Sequence, residues 1–244
     1  MIGIVVVSHS PALATAAVDL ALQMVVGERP PIAIAAGAGD GIIGTDASRV
    51  AAAIEEVASP EGVLVFMDLG SALMSTEMAL EFVADPDLTV KLTSAPFVEG
   101  LLAGIVRAAG GASLDEVERE ARGALAAKSA QLGDPEPGVA VDDESGHADA
   151  DPGELSVDLE LKNPSGLHAR PASLIAAAAM AWDAKTTVAN LRTGSAPMRA
   201  DSSIALMTLG ARTGDSIRVT STGLGARGAI EAISALVADG FGEL

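Results

Sequence analysis

The sequence predicts two domains of different class: an α/β domain with a doubly wound, mostly parallel sheet, followed by an α+β open-faced sandwich of βαββαβα order. Three observations support this. Short apolar runs alternate with longer helical stretches through residues 1–132, the order of those runs changes from residue 154 onward, and an acidic, Pro- and Gly-rich segment at 133–153 separates the two regions. At 244 residues the chain can build two cores, since domains commonly hold about 100–150 residues.

In the first region, residues 2–7, 31–36, 62–67 and 88–92 read as strands, each followed by a helix at 11–26, 46–58, 71–83 and 96–109, with a further helix over 113–131. Strands this uniformly apolar belong in a parallel sheet covered by helices on both faces. In such sheets the functional loops lie at the carboxyl ends of the strands. In the second region, strands are expected at 155–161, 186–191, 196–200 and 216–220, and helices at 169–182, 202–211 and 226–238. That order gives an antiparallel sheet with helices on one face. The segment between has the composition of a disordered linker. Its twenty or so residues would span roughly 25 Å as a flexible coil and about 70 Å at full stretch.

The formal charge is −18, divided as −10 over residues 1–133, −7 over 134–153 and −1 over 154–244. An acidic surface of this kind repels nucleic-acid phosphate and anionic lipid, so neither is expected as a partner. The chain has no cysteine, which removes disulfides, thiolate catalysis and Cys-based zinc sites, and no metal is expected. No basic leader precedes the first apolar run, and no stretch approaches the roughly 18 apolar residues of a membrane span, so a soluble, cytoplasmic protein is expected.

The three histidines are His9, His147 and His168. His147 lies in the acidic segment and reads as a solvated bystander. His9 and His168 each fall where a strand ends and a helix is about to begin, a place where unpaired backbone N–H groups and the positive end of the helix dipole favour anions. In Asn163-Pro-Ser-Gly-Leu-His168-Ala169-Arg170-Pro171, Pro171 suits the first helical turn, the amide of Ala169 is open to phosphate, and Arg170 offers a planar cationic fork. His9 is followed by Ser10 and Pro11. Neutral imidazole is a competent nucleophile near pH 7, given a partner that fixes its tautomer. Asp68 ends the third strand, reaches the same sheet edge and could accept one ring N–H, while Gly70 and Ser71 open the next helix. A simple helix N-cap is the alternative role for Asp68. The G-x-G-x-x-G at Gly39, Gly41 and Gly44 follows the second strand rather than the first, so it reads as an amide-rich loop or an ordinary turn instead of a dinucleotide fingerprint.

The run Gly166-Leu-His168-Ala-Arg170-Pro171-Ala and the region Asp201-Ser202 to Gly210 resemble the HPr phosphocarriers of the sugar phosphotransferase system, across residues 154–244. The resemblance implies that His168 is phosphorylated and Arg170 is its electrostatic partner. Ser202 corresponds to a serine that a regulatory kinase modifies in some HPr proteins, although Asp201 replaces the lysine usual beside it. Residues 1–132 resemble the mannose-type enzyme IIA family through Val6-Val-Ser8-His9-Ser10, the loop ending Gly44-Thr45-Asp46, and Asp68-Leu-Gly70-Ser71. Together the two halves look most like the DhaM family, the phosphoryl-donor subunits of phosphotransferase-dependent dihydroxyacetone kinases.

This implies phosphohistidine intermediates with no directly bound cofactor. Phosphate would pass from phosphoenolpyruvate through enzyme I to His168, then His9, then ADP held by the kinase's nucleotide-binding subunit, and the resulting ATP would serve the substrate-binding subunit. Some members carry an enzyme I-like third domain; none is expected within these 244 residues, so enzyme I is expected in trans. A homodimer through the first domain is also implied. The rival readings are a mannose-type sugar-transport component, which would need a IIB domain, and a binding protein regulated by its own phosphorylation.

Overall fold

A computed structural model describes residues 1–25, 27–39, 41–132 and 154–244. The expected linker at 133–153 and His147 lie outside the described residues. The chain divides into two compact units, Met1–Leu125 and Ala126–Leu244.

The first unit holds four parallel strands, β1 (Gly3–Ser8), β2 (Ile32–Ala36), β3 (Val63–Met67) and β4 (Val90–Leu92), in the order β2-β1-β3-β4. Helices α1 (Pro11–Leu22), α2 (Ala47–Glu56), α3 (Gly70–Leu80), α4 (Phe97–Ala109) and α5 (Leu114–Arg122) alternate with or follow them. Because successive strand side chains point to opposite faces, β1 feeds two cores. Ile4 and Val6 pack with Val18, Leu101, Ile105 and Val117 of α1, α4 and α5, whereas Val5 and Val7 pack with Val50 and Ile54 of α2 and Ala72 and Ala79 of α3. Each fully buried aliphatic chain contributes about 1.5–3 kcal/mol, and together they fix the register. The strands pair Val6 with Phe66 and Val7 with Met67, so β1 and β3 end side by side. α4 lies close over this pair, since a Cβ on Gly104 would come within 2.7 Å of the Phe66 ring.

The helix expected over 113–131 is two helices. Glu116 accepts from the N–H and hydroxyl of Ser113 at the start of α5. The helix stops at Gly123, whose interior placement would cost about 1 kcal/mol relative to Ala. A short helix, α6 (Ala126–Leu132), follows.

The second unit has β5 (Leu155–Glu160), β6 (Lys185–Asn190), β7 (Met198–Arg199) and β8 (Ser216–Thr222), antiparallel in the order β5-β8-β6-β7. Helices α7 (Ala169–Met180), α8 (Ser203–Thr208) and α9 (Ala226–Ala238) supply its other layer, and a 3-10 turn, Gly240–Gly242, follows α9. Val188, Ile217 and Val219 of the sheet meet Ile175, Leu206, Ile233 and Phe241, while exposed or half-buried positions alternate with buried ones along β6 and β8. One face of the sheet is core and the other is open, the sandwich the sequence predicts. The strand expected over 196–200 shrinks to two residues because Pro197 has no N–H for the ladder.

Among the described residues, no helix is long and apolar enough to cross a membrane, and no group of three or more His, Asp or Glu could hold a metal ion.

Candidate functional site

The paired ends of β1 and β3 bring His9 and Asp68 together. The Asp68 N–H donates to Val7 O at 3.2 Å, which continues the strand pairing by one residue. The Asp68 carboxylate then receives four donors. Ser8 Oγ and the His9 N–H reach Oδ2 at 2.9 and 2.8 Å, and the Leu69 N–H reaches Oδ1 at 2.8 Å. His9 Nδ1 lies 2.9 Å from Oδ1. Burial pushes the Asp68 carboxyl up, and the donors from His9 and Ser8 more than offset this, holding it below the usual carboxylate range. An ionised carboxylate can only accept, so Nδ1 carries the ring proton and Nε2 keeps its lone pair. Ser71 Oγ lies 2.9 Å from Nε2 and supplies the matching donor.

Asp68 is therefore not a helix cap. The N-cap of α3 is Leu69, without a side-chain hydrogen bond, and the helix starts at Gly70, one residue earlier than expected. Ser10 is the N-cap of α1, its hydroxyl accepting from the Leu13 N–H at 3.3 Å, with Pro11 at the first helical position. The glycine-rich loop closes over the same edge: the Gly37 N–H donates to Ser8 O and the Gly44 N–H to His9 O, at 3.1 and 3.2 Å. Gly44 has φ +150°, and a Cβ there would come within 2.9 Å of Ala38 Cβ. The loop thus braces the backbone of His9.

In the second unit, His168 is itself the N-cap residue of α7. The first helical bond runs from the Ala172 N–H to His168 O at 3.0 Å, so the amides of Ala169 and Arg170 precede the ladder. Pro171 is buried and has no N–H. Its contribution is the direction of the chain rather than a contact to phosphate. Arg170 is exposed and forms no ion pair among the described residues. His168 Nε2 faces Glu243, at 3.0 and 3.2 Å from its two carboxylate oxygens. Burial pushes Glu243 up, and the hydrogen bonds from Asn163 and His168, with the charges of His168 and Arg170, bring it below its ordinary value. Ser202 is the N-cap of α8, accepting from the Ala205 N–H at 3.0 Å, and is only 5% exposed. Modification there would first have to release that cap.

The sequence reading missed Ser8 and Glu243. Ser8 carried a signal, since it is a polar residue ending an apolar strand one position before His9. Glu243 stands 75 residues from His168 and carried none.

Family models give independent information. The model described as the fructose IIA component of the phosphotransferase system (EIIA-man) matches residues 3–118, and that for the HPr component phosphorylation site matches 155–239. The phosphoryl donor subunit DhaM of a PEP-dependent dihydroxyacetone kinase from Providencia stuartii is 40% identical over 247 residues, covering 100% of this chain and 51% of that protein. A DhaM from Listeria innocua is 38% identical over 109 residues, 44% of this chain and 86% of the relative. The phosphocarrier HPr of Streptomyces coelicolor is 42% identical over 79 residues, 32% of this chain and 83% of the relative. The chain spans about half the length of the enterobacterial DhaM relatives it matches. A IIA half and an HPr half, each matched separately and both matched together, place the chain in the DhaM family of phosphoryl-donor subunits.

Proposed function

We propose that the chain is a phosphohistidine relay acting as a phosphoenolpyruvate-glycerone phosphotransferase: enzyme I phosphorylates His168, His168 passes the group to His9, and His9 delivers it to ADP on the nucleotide-binding subunit of a dihydroxyacetone kinase. The ATP formed there serves the substrate-binding subunit. One observation carries the reading: each histidine stands at a helix N-terminus with one ring nitrogen facing a carboxylate and the other left for chemistry.

In the two transfers onto this chain the free ring nitrogen attacks phosphorus in line, and in the last a β-phosphate oxygen of ADP attacks the phosphorus carried by His9. The donor P–N bond breaks, and its electron pair returns to the donor nitrogen. The ring that gains the group becomes cationic and keeps its proton on the nitrogen facing the carboxylate, which balances the new charge. On His168 the transferred group would meet the open amides of Ala169 and Arg170 and the Arg170 fork. On His9 it would displace the Ser71 hydroxyl from Nε2 and keep it, with the Ser71 and Gly70 amides, as oxygen ligands. No base is needed to create the nucleophile, so positioning and charge balance are the protein's contribution.

A protein acceptor, rather than a free sugar, is supported by the surface around His9. Leu69, next to Asp68, and Ile43, next to Gly44, are 60% and 79% exposed, and Met74, one turn along α3 from Ser71, is 69% exposed. Adaptable apolar side chains beside a reactive group suit a docking partner, whether the kinase subunit or a second copy of the first unit. The test combines this protein, enzyme I, labelled phosphoenolpyruvate and both kinase subunits. Label is expected in dihydroxyacetone phosphate; label retained on this chain with none in that product would reject the acceptor.

A further inference from the structure

Four segments leave the carboxyl ends of the strands in the first unit, at the edge that carries His9: residues 8–13, 36–49, 67–74 and 92–99. Together they contain four acids and only one lysine or arginine, Arg49. The second site has Arg170 two residues after its histidine, and His9 has no such neighbour in sequence.

Arg49 stands in the first turn of α2, where the positive end of the helix dipole opposes a cation by about 0.3–1 kcal/mol. Its side chain does not serve the cap, which Asp46 supplies by accepting from the N–H groups of Ser48 and Arg49. The guanidinium turns back to the sheet instead, and Nη1 donates to Ala36 O and Gly37 O, each at 3.4 Å. Both bonds are long, both acceptors are neutral, and Arg49 forms no ion pair among the described residues. The carboxylates on either side are Asp46, the cap of its own helix, and Asp68, which already has four donors.

Ala36 pairs with Ser8, and the Gly37 N–H donates to Ser8 O. The guanidinium therefore rests one strand over from the residue before His9, a spacing of about 4.8 Å. Val50 and Ile54 of α2 share a core with Ala72 and Ala79 of α3, so the two helices cover the same face of the sheet. Thr45 Oγ1, 2.7 Å from Ser75 Oγ, ties the entrance of α2 to α3. Ser71 reaches His9 Nε2 from the β3 side of that face, and Arg49 flanks it from the β2 side. A cation kept where its own helix disfavours it, on acceptors it can easily leave, breaks a local rule beside a reactive group, and such breaks mark function.

We propose that Arg49 is the anion clamp of the first site: when His9 Nε2 carries phosphate, the guanidinium leaves the two carbonyls and takes phosphoryl oxygens opposite the Ser71 hydroxyl. The planar fork suits those oxygens. Arg49 makes and breaks no covalent bond; it neutralises charge on the group as it arrives from one nitrogen and leaves for the next acceptor. This rests on the reading of His9 as a phosphoryl carrier.

The experiment compares the full chain with Arg49→Gln and Arg49→Lys, loaded by enzyme I and labelled phosphoenolpyruvate. Rapid quench reads transfer from His168 to His9, and phosphorus-31 NMR against pH reads the second ionisation of the phosphoryl group on His9. Arg49→Gln should slow arrival at His9 about ten-fold and raise that titration midpoint, because the dianion loses its cation. Arg49→Lys keeps the charge without the fork, and should restore the midpoint more fully than the rate. The midpoint is read on folded, phosphorylated protein, so loss of a merely structural brace would not move it. An unchanged rate and midpoint in Arg49→Gln would overturn the proposal. So would an unmoved midpoint with only the final transfer to ADP slowed, which would assign the cation to the partner's nucleotide. No label on wild-type His9 would instead overturn the relay reading.

Discussion

The two histidines meet their carboxylates through opposite ring nitrogens. Asp68 faces Nδ1 of His9, and Glu243 faces Nε2 of His168. The surroundings differ in the same sense. The His9 and Asp68 side chains are 18% and 7% exposed, against 40% and 20% for His168 and Glu243. Asp68 is locked by four donors at the join of two parallel strands, whereas Glu243 arrives on a strained tail and has two partners. A carrier that must meet partners benefits from an open imidazole. An acceptor that must hold the group until its final transfer benefits from an enclosed one, where electrostatic interactions are less screened.

The largest expected effects separate the sites outright. His168→Ala should abolish labelling of both histidines by enzyme I, while His9→Ala should leave His168 labelled and stop dihydroxyacetone phosphate formation; label on His9 in the first variant would show a bypass. Asp68→Ala should slow transfer to His9 by roughly 10²-fold through loss of tautomer and orientation, measured by rapid quench. Gly166→Ala should cost about 3 kcal/mol in calorimetric stability, because the new Cβ meets the Ala211 carbonyl oxygen in a left-handed backbone. Ser71→Ala, which removes a contact that only the first site has, should slow transfer only a few-fold.

Acid sharpens the comparison. Asp68 is held below its ordinary value, so the unfolded chain binds that proton more readily. The stability it confers is complete above about pH 4 and is lost as pH falls through its folded-state value. The difference in Tm between the wild type and Asp68→Asn should therefore narrow from pH 6 to pH 3; a constant difference would show that ionisation is irrelevant.

Much of the first site was legible in sequence because its parts sit at strand ends, where apolar runs stop at polar residues. Strand order places His9 and Asp68 on one edge of the sheet without any knowledge of side-chain packing. The break at Gly123 was less legible, since the apolar periodicity continues past it and only the cost of one glycine opposes the helix. Glu243 was not legible at all. Its position depends on Phe241 accepting a left-handed backbone in exchange for burial of its ring, a balance that tertiary packing alone decides.

The measurement that bears most directly on this account is the identity of the phosphorylated nitrogen on each histidine, read by nitrogen-15 and phosphorus-31 NMR after incubation with enzyme I and phosphoenolpyruvate. Nε2 on His9 and Nδ1 on His168 is the predicted result. Phosphate on the nitrogen that faces Asp68 or Glu243, or on neither ring, would contradict it.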